Sequence, residues 1–243
     1  MDAIERPTFS SDARKRIYEY VERHGTVKRH RLMDVVSIPS NELETHLETL
    51  ETDGYIADDG GTLRLAFEFG AVQEYAIDGV EFVIRPAHHD DFDGLIEVIR
   101  DVTAEETYVV AETIAEQLLY EDTVTRHNSV ASRVFFVATV DGDVVGWTHL
   151  DLPQVERVQE VAQQTVGVTS AYRGRGIGSK LLHRGIEWAE ANGYRKVYNS
   201  IPVVNERALE FLTIHGWDTE AIRRNHYTIE GEHVDDVMMA YEL

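Results

Sequence analysis

The 243-residue chain carries 44 acidic against 23 basic residues, a net charge of −21, with 43% hydrophobic residues and no cysteine. That length predicts one α/β domain of ordinary size plus an extra module, and the missing cysteine excludes disulfides, thiolate metal sites and cysteine nucleophiles. No run approaches the roughly 18 consecutive apolar residues of a membrane helix, and the start MDAIERPTFSSD lacks a secretory pattern, so the chain reads as a cytoplasmic protein with no membrane partner.

Residues 11–66 read as three helices and a hairpin. Ser11-Asp12 caps a first helix with Ile17, Tyr20 and Val21 inward, and Gly25 ends it. Val27 to Val36 gives a second, with Leu32, Val35 and Val36 on one side. Ser40-Asn41 opens a third with Leu43, Leu47 and Leu50 on one face, and Tyr55-Ile56 and Leu63-Leu65 flank a turn at Asp58-Asp59-Gly60-Gly61. This order resembles a winged helix-turn-helix. Its third helix is acidic, however, with Glu42, Glu44, Glu48, Glu51 and Asp53 and no Lys or Arg, which repels phosphate and disfavours DNA as a partner. Lys28-Arg29-His30-Arg31 is the one basic cluster there; docking, dimerisation or an inherited structural role are the other readings, and a homodimer is among the expected states.

Residues 69–79 read as a linker between a domain at 1–68 and one at 80–243. Phe82-Val83-Ile84-Arg85-Pro86 predicts a strand stopped by proline, and Asp90-Asp91-Phe92 opens a helix through Leu95, Ile96 and Ile99. A further helix is expected around Ile114 to Leu119, followed by a hairpin, Phe135 to Val140 and Val144 to Leu150, about Asp141-Gly142-Asp143. Glu160 to Thr169 is the next strand. It leads into Arg173-Gly174-Arg175-Gly176-Ile177-Gly178-Ser179 and then an amphipathic helix with Leu181, Leu182, Ile186 and Ala189. Later come a strand from Lys196, a helix opened by Asn205, and two strands around Glu230-Gly231-Glu232.

A strand, a glycine turn and a helix start make an anion site, because backbone without Cβ atoms approaches a ligand closely and the free N–H groups of the first helical turn point at negative charge. The spacing excludes a Walker loop and a dinucleotide fingerprint. What remains, Arg-x-x-Gly-x-Gly, resembles the pyrophosphate loop of the GCN5-related N-acetyltransferases, the GNAT superfamily. The block from Asn205 through Ala208 to His215-Gly216-Trp217 resembles a second motif of that family, and IRPAHHDDFDGLIEVI its first strand and helix.

The resemblance implies a mixed, mainly antiparallel sheet flanked by helices, preceded by the small winged-helix-like α+β domain. It also implies direct acetyl transfer from acetyl-CoA, as co-substrate, to a primary amine on a small molecule or a protein. Val166 and Val168 would pair with the pantetheine arm, Arg173, Gly174, Arg175, Gly176, Ile177, Gly178 and Ser179 would hold the pyrophosphate, and Asn205 would contact CoA. Gly167 would permit a bulge in the strand. Where the family often has a tyrosine acid this chain has Leu212, leaving Tyr198 or Tyr227 as substitutes; Glu160, His149 or Asp151 are the candidate bases. The histidines have no metal spacing, so no metal is expected. The alternative function is a DNA-binding regulator whose second domain senses CoA or an acylated ligand. Lysine occurs only at positions 15, 28, 180 and 196, and acid excess spread over the whole chain suits solubility in concentrated salt, predicting a halophilic host.

Overall fold

The computed structural model describes residues 7–66, 70–104, 109–127, 131–153, 158 and 160–243. The expected boundary at 68/69 and the stretches 105–108 and 128–130, on either side of the helix expected around Ile114 to Leu119, lie outside the described residues. The N-terminal elements are α1 (Asp12–His24), β1 (Thr26–Lys28), α2 (Arg29–Val35), α3 (Ser40–Thr52), β2 (Ile56–Asp58) and β3 (Thr62–Leu65). The Ser11 side chain accepts from the Arg14 N–H at 3.2 Å and caps α1. Leu43, Leu47 and Leu50 of α3 pack fully buried against Ile17 and Val21 of α1 and Leu63 of β3.

The second helix starts later than its sequence suggests. Thr26 and Val27, β-branched and just past Gly25, form a strand that pairs with β3, so only Arg29–Val35 turns helical. Leu32 and Val36 are buried, but Val35 points out, 49% exposed.

The remaining elements are β4 (Gln73–Ile77), β5 (Val80–Pro86), α4 (Phe92–Thr103), α5 (Val109–Glu121), β6 (Arg126–His127), β7 (Ala131–Val140), β8 (Asp143–Pro153), β9 (Val161–Val168), α6 (Ile177–Ala191), β10 (Lys196–Pro202), α7 (Glu206–Ile214), β11 (Asp218–Ile229) and β12 (Glu232–Glu242). The linker at 69–79 thus contains a strand. β4 pairs antiparallel with β5 around a turn at Asp78-Gly79 and forms the sheet edge, with Gln73, Tyr75 and Ile77 half-buried on one face and Glu74 and Ala76 exposed on the other.

The sheet order is β11-β12-β10-β9-β8-β7-β5-β4, with β6 added on β7, and every pairing is antiparallel except β9 with β10. One face packs under α6 and α7 through Phe136, Leu150, Leu181, Leu182, Trp188 and Trp217. The other packs under α4 and α5 through Leu95, Ile99, Leu118, Phe135 and Trp147. Among the described residues no helix is long and apolar enough to cross a membrane.

The N-terminal module is latched to the segment that follows α5. The Tyr18 hydroxyl donates to the His127 carbonyl at 2.6 Å and the Thr123 hydroxyl donates to the Glu22 carbonyl at 3.0 Å. Burial drives the Tyr18 phenol far above its ordinary pKa, so it stays a neutral donor. Behind this latch Arg133, itself buried, pairs with Glu121 at 2.6 Å and donates to the carbonyls of Val124 and Thr123.

Candidate functional site

β9 and β10 run parallel but pair over three positions only, Val161 with Lys196, Ala162 with Val197 and Gln163 with Tyr198. Beyond Gln163 and Tyr198 the strands part. The opening is a cleft of about 390 Å³ walled by Thr165 to Val168 on one side and Asn199 to Pro202 on the other, closed by Val109 to Ala111 of α5 and by Phe211 and Leu212 of α7. Both walls pair along their outer edges, with β8 and β12, so only the backbone groups of their inner edges face the gap. An extended ligand with amides of its own fits such a gap.

The glycine turn forms the mouth. Gly174 and Gly176 sit at φ 75° and 78°, a left-handed conformation that other residues adopt only with strain, and Gly176 is the residue that leads into α6. Gly174, Gly176, Gly178, Ser179 and Arg173 line the cleft, as do Val166, Val168 and Asn205. The Arg173 side chain donates from Nε to the Val168 carbonyl at 2.8 Å, which clamps the turn to the end of β9. Asn205 caps α7, its side-chain oxygen accepting from the Ala208 N–H at 3.1 Å. Two residues of the predicted loop stand apart from the cleft lining: Ile177 is buried in the core, and the Arg175 guanidinium lies 5.8 Å from the Tyr172 ring centre. Arg207, which sequence reading did not single out, adds a cation to the wall.

Gly167 has a different reason from the one its sequence suggests. β8 and β9 keep their register through Trp147 and Gly167, so there is no bulge there. A Cβ on Gly167 would come within 2.9 Å of the Trp147 indole nitrogen, so glycine is what allows the indole to lie against the strand.

The base candidates do not converge on the cleft. Glu160 precedes β9, exposed and 3.6 Å from Arg195. Five extended residues, about 16 Å, separate it from Thr165. His149 pairs across the sheet with Thr165, but its ring is buried against Phe135, with centroids 4.6 Å apart. Neither ring nitrogen has a hydrogen-bond partner among the described residues, and burial, followed by the charge of Arg133, pushes its pKa down to about 3. It is a neutral packing residue. Asp151 lies further down β8, opposite Gln163, and is exposed.

Tyr227 is absent from the cleft lining yet belongs to a network that reaches it. Its hydroxyl lies 3.3 Å from Asp236, a carboxylate with no exposure at all, and its pKa is raised to about 12 by burial and then by that charge. Arg223 donates to the same carboxylate at 2.6 Å and to the hydroxyl of Ser200, a cleft residue, at 2.9 Å. Leu212, in the position expected for the tyrosine acid, is a buried apolar part of the wall. Among the described residues no three His, Asp or Glu side chains gather as a metal site.

Comparison with known proteins agrees with this geometry. The model of the acetyltransferase (GNAT) family matches residues 96–217. An N-alpha-acetyltransferase of Sulfurisphaera tokodaii is 30% identical over 176 residues, 68% of this chain and 95% of that protein. The chain belongs to the GNAT acetyltransferase family. An L-amino acid N-acetyltransferase of Escherichia coli is 32% identical over 43% of this chain and 65% of its own length. An uncharacterized N-acetyltransferase of Methanocaldococcus jannaschii is 34% identical over 36% of this chain, and the match spans only 40% of that relative. Among solved structures, an acetyltransferase from Salmonella typhimurium with its cofactor acetyl-CoA superposes with a TM-score of 0.53 at 21% identity, covering 67% of this chain and 94% of the other.

Proposed function

We propose that the protein transfers the acetyl group of acetyl-CoA to a primary amine by direct attack of the amine on the thioester. The observation that carries this reading is the parting of β9 and β10 with the glycine-lined start of α6 at its mouth, an extended slot ending in an anion site. Acetyl-CoA has that shape: a pyrophosphate and a chain of amides. The N–H groups of the turn from Arg173 to Ser179 bind the pyrophosphate, the backbone of Val166 and the N–H of Val168 take up the amides, and Asn205 and Arg207 border the same cleft. The bound thioester supplies the activated acetyl group, while the chain's own residues position it and exclude water.

The acceptor is an amine, and the relatives named above point to amino acids or protein α-amino groups as the first classes to try. Calorimetric titration with acetyl-CoA at high salt tests the reading, followed by a panel of amines scored for CoA release. Absence of binding at millimolar acetyl-CoA would refute it.

The N-terminal module is winged-helix-like: its order α1-β1-α2-α3-β2-β3 and sheet order β1-β3-β2 support that description. Its charges do not favour DNA. Arg29 of the basic cluster is engaged by Glu44 and Asp58, and Lys28 donates to the Thr62 hydroxyl, while the acids of α3 face solvent. The module serves instead as a buttress for the end of α5, whose start walls the cleft, and the acetyltransferase domain begins at β4 rather than after it. The net charge of −21 with four lysines supports a cytoplasmic setting in a salt-loving cell.

A further inference from the structure

Loss of the tyrosine at Leu212 leaves a question of which group attends the sulfur as it departs. Ser200 lies on the β10 wall, two residues beyond the last pair that joins β10 to β9, and it lines the cleft together with Thr165 of the β9 wall. It is 8% exposed and part of a closed network. Arg223 donates from Nη2 to Ser200 Oγ at 2.9 Å and from Nε to Asp236 Oδ2 at 2.6 Å, and the Tyr227 hydroxyl lies 3.3 Å from Asp236 Oδ1. Asp236 is wholly buried, so its carboxylate is shielded from water and held by the Arg223 guanidinium and the Tyr227 hydroxyl.

This arrangement acts on the serine proton. A hydroxyl whose oxygen accepts from a cation is polarised and becomes a stronger donor itself. With Arg223 occupying a lone pair of Ser200, the O–H of this cleft-lining residue is free to turn toward the cleft. We propose that Ser200 is the hydroxyl that stabilises the departing CoA thiolate, and that Arg223, Asp236 and Tyr227 are positioning residues that orient and polarise it. The inference rests on the acetyltransferase reading above.

In the step itself the amine nitrogen forms the C–N bond, the C–S bond breaks and its electron pair goes to sulfur. The Ser200 O–H hydrogen-bonds to that sulfur and keeps its proton. The extra proton of the acylated nitrogen passes to water, and the thiolate is protonated by water after release, so no further reactant is required. A donor waiting where charge develops is worth most in a water-poor cleft.

The test reads the thiol of bound CoA without turnover. The ultraviolet absorbance of the thiolate is titrated with pH for free CoA and for CoA bound to the wild type, Ser200→Ala and Ser200→Thr. The wild-type complex should titrate about one unit below free CoA, a tenfold shift of the equilibrium. Ser200→Ala should return the thiol to the free value while binding CoA, and Ser200→Thr, which keeps the hydroxyl, should stay with the wild type. In turnover, Ser200→Ala should lower kcat about tenfold or more with the KM for acetyl-CoA within about twofold. Asp236→Asn should shift both readouts in the same direction as Ser200→Ala. An alanine variant whose bound thiol titrates with the wild type overturns the assignment to Ser200 alone; failure of the wild type to bind CoA overturns the acetyltransferase reading as well.

Discussion

Replacing His149 with leucine should make the protein less sensitive to acid. The folded ring is held neutral by burial with a pKa of about 3, whereas in the unfolded chain an imidazole titrates near 6.5. The folded value is depressed, so the stability linked to this residue is fully present above about pH 6.5 and is lost as pH falls toward 3, because only the unfolded state takes up the proton. At pH 5 the linkage amounts to about 2 kcal/mol, against less than about 0.1 kcal/mol at pH 7.5. A folded pKa one unit higher changes that by less than about 0.1 kcal/mol, since the unfolded value sets it at this pH. His149→Leu removes the titration and two buried nitrogens without partners among the described residues, and leucine fits a site walled by Phe135. Urea unfolding followed by fluorescence, which reports on Trp147 in the same core, should show the wild type losing about 2 kcal/mol more than the variant between pH 7.5 and 5 at fixed salt. Equal losses in the two proteins would refute the reasoning.

Gly178→Asp should abolish acetyl-CoA binding in a calorimetric titration with little change in melting temperature, because the carboxylate enters the anion site from a helical position where a Cβ meets only ordinary contacts, the nearest at 3.6 Å. Gly176→Asp should also block binding but cost about 1 kcal/mol of stability, since its φ is 78°. Glu121→Ala strands the buried Arg133 guanidinium, and chemical denaturation should register a loss of about 3 kcal/mol. Tyr18→Phe leaves the His127 carbonyl without that donor; a loss of about 1–3 kcal/mol is expected, with hydrogen exchange rising at Thr123 to His127 ahead of the rest of the sheet.

Features written in neighbouring residues were legible in the sequence. The turn from Arg173 to Ser179 with its strand and helix, the cap at Asn205, and the leucine stripe of α3 each depend on contacts within a few positions, so spacing alone exposes them. The Ser200, Arg223 and Asp236 network joins β10, β11 and β12, and no periodicity signals it. Asp236 reads as one more surface acid in an acidic chain, yet it has no exposure. His149 sits in an alternating stretch that suits a half-exposed strand, and only the helix layer packed over the face of Phe135 and Trp147 shows it to be buried. Glu160 was drawn toward the site by its nearness in sequence to the glycine turn, but an extended strand carries nearness away at about 3.3 Å per residue. β4 is only five residues long, and Gln73 breaks the apolar side that Tyr75 and Ile77 turn inward, so its sequence does not distinguish it from a linker.

The short seam between β9 and β10 divides the sheet mechanically. Three strands, β11, β12 and β10, form one slab and the other strands a second, and among the described residues three register pairs are the only ladder between them. The main antiparallel ladder inside each slab is longer, with seven pairs between β10 and β12 and ten between β7 and β8. A ligand lying along the split would act as a shared strand, bonded on its two edges to different slabs, so its binding energy is also glue. Loaded protein should therefore unfold as one unit, and empty protein should open first at this seam, with the C-terminal hairpin swinging away while the rest of the sheet holds.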